Sequence, residues 1–71
     1  MRISYDSKVD VLFIQFEEGT VTTKHVVEGI AVDFDSRGKI AAIEILDAKK
    51  RFGDTATLRK VTLEDIGLSA A

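Results

Sequence analysis

The sequence predicts a mainly β chain, β-rich α+β in class: an antiparallel meander of about five strands with a short C-terminal helical segment. Three observations carry that expectation. Apolar, β-branched stretches of strand length recur between the isolated glycines Gly19, Gly29, Gly38, Gly53 and Gly67. One of them, Ile30-Ala31-Val32-Asp33-Phe34, alternates large apolar with small or acidic residues at a period of two. The connections are short turns, whereas parallel crossovers need about a dozen residues or more.

The elements follow in order. Arg2 to Tyr5 is a short first strand, and Asp6-Ser7-Lys8 is turn chemistry, because Asp and Ser side chains bond nearby backbone amides. Val11 to Phe16 is the second strand, closed by Glu17-Glu18-Gly19. Val21 to Val27 is β-branched and alternating, a third and more exposed strand. Glu28-Gly29 is a tight connection to the fourth strand, Ile30 to Phe34. Asp35-Ser36-Arg37-Gly38 is a hairpin loop with glycine at a positive φ, and Ile40 to Leu46 is the fifth strand. Beyond it, Asp47 is placed to cap a short helical turn through Ala48-Lys49-Lys50-Arg51, broken by Gly53-Asp54. Thr55 to Leu68 is ambiguous, with Thr62 a candidate cap and Glu64 and Asp65 in the first turn that would follow. The expected core is Ile3, Leu12, Ile14, Ile30, Val32, Phe34, Ile43 and Ile45.

Seventy-one residues make one domain, residues 2–46 forming the sheet and 47–71 the short helix and irregular tail. A chain this size buries roughly 60% of the surface its unfolded form exposes, so its core needs reinforcement. There is no cysteine and one histidine, which excludes disulfides and thiolate metal sites and leaves too little for a typical zinc site. Good packing or self-association remains. The second strand points to the latter: Val11-Leu12-Phe13-Ile14 is apolar without alternation, so both of its faces need cover. The C-terminal segment or a second subunit could supply it, and a homo-oligomer is the expectation.

Charge and hydropathy narrow the partners. Ten basic against 12 acidic residues give a net charge of −2, where a nucleic-acid binder shows a basic excess. Lys49-Lys50-Arg51 and Arg59-Lys60 are the basic clusters, with few aromatics interleaved, and read as a solvated helix end. Met1 to Asp6 lacks a signal-peptide stretch and no window approaches the roughly 18 apolar residues of a membrane span. A cytoplasmic chain without nucleic-acid or membrane partners is expected.

Candidate chemistry is sparse. Asp33 to Glu44 overlaps an EF-hand calcium loop: acids at positions one and three, Gly38 at six, Ile40 at eight, Glu44 at twelve. Arg37 stands at position five, where Ca²⁺ needs oxygen, and the flanks alternate like strands, so the segment reads as a hairpin turn. His25 has no triad arranged around it and reads as a surface strand histidine. Glu17-Glu18, Asp33 with Asp35, and Glu64-Asp65 read mostly as turn and solvation residues, since acids are seldom fully buried. Asp33 and Glu44 lie in the two most regular strands and are expected close across the hairpin. Such a pair needs a basic partner, with Arg2, Lys39 and Arg59 as the candidates. No glycine loop has phosphate-cradling spacing.

Several blocks occur in order: Ile3-Ser4-Tyr5-Asp6, Asp10-Val11-Leu12-Phe13-Ile14, Ile30-Ala31-Val32-Asp33-Phe34-Asp35 with Gly38, and Ile43-Glu44-Ile45-Leu46-Asp47-Ala48. Over roughly residues 2 to 52 the chain resembles the small bacterial family catalogued as domain of unknown function 2283. The resemblance implies a compact β-rich domain and supplies no catalytic residues. Some members are suspected antitoxin-like partners of small toxin-like proteins. Tyr5, Asp6, Asp10, Asp33, Asp35, Gly38 and Glu44 carry the likeness and are turn and strand-end types.

The expected function is a non-enzymatic, self-associating interaction module that contacts a small partner protein, without cofactor, metal or catalytic residues. An antitoxin-like partner of a small toxin is one alternative. A small metal-dependent hydrolase using Asp33, Asp35 and Glu44, with His25, is the other.

Overall fold

The computed structural model describes residues 1–53, 56–65 and 67. Its elements are β1 (Arg2–Asp6), β2 (Val11–Gln15), β3 (Thr22–Val27), β4 (Ile30–Phe34), β5 (Ile40–Leu46), α1 (Ala48–Phe52) and α2 (Ala56–Arg59). All five strands form one antiparallel sheet, as expected. Their order is β1-β2-β5-β4-β3, so the sheet is not the sequential meander that short turns suggested. β3, β4 and β5 are joined hairpin to hairpin and β2 lies beside β5, which is a Greek-key arrangement.

The correction has a physical cause. β2 is apolar on both faces and takes an interior position, while Thr22-Thr23-Lys24-His25 suits an edge. From β2 to β3 the chain crosses two strands, roughly 14 Å at ordinary strand spacing. Six residues reach about 20 Å when extended, so residues 16–21 suffice. A register shift lies between Asp33 and Phe34, where Asp33 pairs with Ala42 and Phe34 with Ile40. Ala41 is the extra residue of that bulge, and its carbonyl accepts the N–H groups of Phe16 (2.8 Å) and Glu17 (3.2 Å). At the far end the Val21 N–H donates to the Phe34 carbonyl at 2.8 Å. The crossing is thus tied down on both sides.

Register sorts the side chains into two faces, because paired residues point the same way. On one face run the rows Ile3–Ile14–Ile43–Val32 and Tyr5–Leu12–Ile45–Ile30. On the other run Ser4–Phe13–Glu44–Ala31–His25 and Arg2–Gln15–Ala42–Asp33–Thr23. Seven of the eight expected core residues fall in the two apolar rows; the eighth, Phe34, lies past the bulge. Only Val32 among them is buried, and Ile3 is 41% exposed. The closed positions belong to small side chains, Ala31, Ala41, Ala42 and Ala48, together with Asp33.

α1 seals one end of the sheet. Asp47 stands at its N-cap with φ 53° but gives no side-chain cap bond. Asp10 supplies the cap instead, from the β1–β2 turn. Its carbonyl accepts the Ala48 N–H at 3.0 Å, and its carboxylate accepts the Lys49 N–H at 2.8 Å and the Tyr5 hydroxyl at 2.7 Å. The Tyr5 bond, followed by the Lys49 amide, holds the Asp10 carboxyl below the usual aspartate value. Asp10 itself has φ 57°, a conformation Asp tolerates better than most residues.

The basic run of α1 is only partly a solvated face. Arg51 donates from Nε to the Leu46 carbonyl at 2.8 Å and from Nη2 to the Glu28 carbonyl at 2.9 Å. It therefore ties the β3–β4 hairpin to the end of β5. The second helix also departs from expectation. Residues 56–59 are helical, whereas residues 60–65, where Thr62 was the candidate cap, form no regular element. Residues 55, 66 and 68 of that candidate segment lie outside the described residues.

Gly29 has φ 81°, and a Cβ placed on it would fall on the Arg51 guanidinium. Gly29→Ala is expected to cost about 2 kcal/mol, part backbone strain and part displaced arginine. In an Arg51→Ala background the same substitution should cost measurably less, because only the strain remains. Urea unfolding of the four chains checks this; equal costs in both backgrounds would disprove the coupling.

Candidate functional site

Two surfaces bear on function, one on each face. The polar face holds the acids singled out above. Asp33 is 3% exposed, contrary to its reading as a turn or solvation residue. Its neighbours Ala31, Ala41 and Ala42 are small, which makes room for a carboxylate inside the sheet face. The Thr23 hydroxyl donates to Asp33 Oδ1 at 2.6 Å. Glu44 lies diagonally across, one row away, since Asp33 pairs with Ala42 and Ala31 with Glu44. The expected proximity of Asp33 and Glu44 is therefore present. No hydrogen bond from Arg2, Lys39 or Arg59 to either acid is seen among the described residues; the Thr23 hydroxyl is what meets Asp33. His25 shares the row of Glu44 on the edge strand.

Burial comes first in raising the Glu44 carboxyl above its ordinary value, followed by its hydrogen bond to Asp33 and the charge of Asp33. His25 works in the opposite direction. Two carboxyls set this close disfavour both being charged at once, which is the direction in which Glu44 is moved.

Asp35 does not join them. Its Oδ1 accepts the N–H groups of Arg37 (2.8 Å) and Lys39 (2.9 Å), the turn that the sequence suggests in place of a calcium loop. Gly38 has φ 79° there. The Lys39 amide, and then Glu17, lower the Asp35 carboxyl; Asp35 in turn raises Glu17. Among the described residues no group of three or more His, Cys, Asp or Glu could hold a metal ion.

The apolar face carries the larger opening. A cavity of about 440 Å³ lies between β1–β2 and the C-terminal residues, lined by Ile3, Leu12 and Ile14 from the sheet and by Phe52, Leu58 and Val61. The sequence reading missed the last three, and it missed Arg51 and the capping role of Asp10. A signal existed for Val61: it alternates with Leu63 between polar neighbours at a period of two. No helix among the described residues is long and apolar enough to cross a membrane.

A carboxyl raised on folding adds stability that is fully present below the unfolded value and lost as the pH rises through the folded one. Glu44→Gln keeps the shape and cannot ionise. It is expected to raise the urea midpoint at about pH 7.5 and to leave it unchanged below about pH 4. A shift of equal size at both values would show that the effect is not ionisation.

The residues that carry the family likeness hold the fold together. Tyr5 and Asp10 bond each other, Asp6 accepts the Lys8 N–H at 2.9 Å, and Asp35 and Gly38 make the hairpin turn. No curated protein and no solved structure matches the chain. A family model does match, over residues 2–49, from the start of β1 to the residue whose amide Asp10 caps. The chain belongs to that family, described as protein of unknown function (DUF2283).

Proposed function

We propose that this chain is a non-enzymatic interaction module that works as a self-associated assembly. One observation carries the reading: among the described residues no large side chain is fully buried, and every residue of the interior strand β2 is only half-buried. A folded monomer normally closes its largest apolar residues away from water. On this reading the closing material is a second copy of the chain. The acids give a second, weaker support. Asp33 is committed to Thr23 and Glu44, and Asp35 to its own turn, so neither stands free to act on a substrate. Sedimentation equilibrium at tens of micromolar is expected to give a mass above that of the monomer. Monomer alone across that range would overturn the reading.

A second reading, an antitoxin-like partner of a small toxin, has the β3 edge to recommend it. All six residues of β3 are exposed, and one side of its backbone faces no strand of this sheet. Such an edge accepts a strand from a different protein. Co-expression with the product of a neighbouring small gene is expected to give a stoichiometric complex that His25→Pro abolishes, because the backbone of His25 faces away from β4 while that of Lys24 bonds Val32. A complex that survives His25→Pro would place the contact elsewhere.

A further inference from the structure

The geometry points to a second copy of this chain as the occupant of the apolar groove, seated face to face about a two-fold axis on β1, β2 and the 60–65 segment. The inference rests on the self-association just proposed and names the surface that performs it.

Area is the first argument. The chain exposes 5682 Å², against about 4,400 Å² for a folded monomer of its 7.8 kDa mass. The excess exceeds the roughly 800 Å² that each partner gives up in a stable protein interface. Part of the exposed apolar surface lines this groove: Ile3 is 41% exposed, Phe52 39% and Val61 63%.

Charge is the second argument. The groove lining named above, Ile3, Leu12, Ile14, Phe52, Leu58 and Val61, contains no ionised side chain. Tyr5, which also lines it, has its hydroxyl spent on Asp10. Each copy carries a net charge of −2, so two copies repel wherever acids face acids. The groove is a place where they meet without that cost. The opposite end of the sheet, with Glu17, Glu18 and Asp35, is not.

The edges are poorer candidates for a twin. β3 has a bulge between His25 and Val27, which bends its outer backbone away from straight pairing, and Lys24 at its centre is a charge of the kind that blunts an edge. A two-fold contact is self-complementary, so residues from the rim of one groove enter the other. Val61 and Leu63, on a stretch with no regular element, are long enough and free enough of the sheet to do so.

Two substitutions test the surface. Ile3→Glu places a charge on the sheet side of the groove, and Val61→Asp places one outside every strand and helix, where refolding of the sheet is not at stake. Each is expected to raise the concentration at which dimer and monomer are equal by at least about tenfold, with the far-ultraviolet strand signal kept. Val26→Asp, a comparably exposed apolar position on β3, is expected to leave it unchanged. A wild-type chain that self-associates equally well with Val61→Asp, while Val26→Asp dissociates it, would overturn this surface and leave self-association standing. A wild-type chain that stays monomeric, including one that takes an apolar dye into the groove instead, overturns both.

Discussion

One sheet of five short strands has two faces, and among the described residues little lies over the apolar one. Most other features of the structure bear on that shortage of cover. The apolar rows Ile3–Ile14–Ile43–Val32 and Tyr5–Leu12–Ile45–Ile30 form a continuous hydrophobic surface. Among the described residues, two short helices and a stretch without regular structure lie after the sheet. Side chains that close completely are alanines, which need little cover. Burial of apolar area is the main favourable term in folding, and among the described residues much of that area stays half-open.

Against that shortage the polar contacts act as fasteners. Asp10 gathers the Tyr5 hydroxyl, the Ala48 N–H and the Lys49 N–H at one corner, joining the first hairpin to the helix that follows the last strand. Arg51 joins the same helix to the β3–β4 hairpin through two carbonyls, and the Leu46 N–H donates to the Gly29 carbonyl at 2.8 Å alongside. The bulge at Ala41 holds the start of the crossing segment. These bonds link parts of the chain far apart in sequence. Residues that look chemically suggestive when read along the chain are, for the most part, its joints.

The acid pair on the polar face is the exception that a turn assignment does not cover. Asp33 is placed inside the sheet surface by its small neighbours, and Glu44 answers it across the β4–β5 ladder. The pair makes the stability of the sheet respond to pH, because Glu44 holds its proton more tightly folded than unfolded. Among the described residues it belongs to no group of three or more side chains that could hold a metal ion.

Local chemistry settled a good deal from the sequence alone. Period-two alternation placed Ile30–Phe34 as a strand, glycine and Asx chemistry placed the Asp35–Gly38 turn, and unbroken apolarity in Val11–Ile14 announced a strand with two faces to cover. Those signals depend only on neighbours in the chain, so they are legible there. Strand order, the burial of Asp33, the capping of α1 by Asp10 and the use of Arg51 were decided by the tertiary structure. Each depends on which distant segment arrives alongside: β5 beside β2, Ala42 beside Asp33, Lys49 beside Asp10. A six-residue connection allows either a neighbouring strand or a crossing, and only competition among whole strands for the apolar interior chose between them.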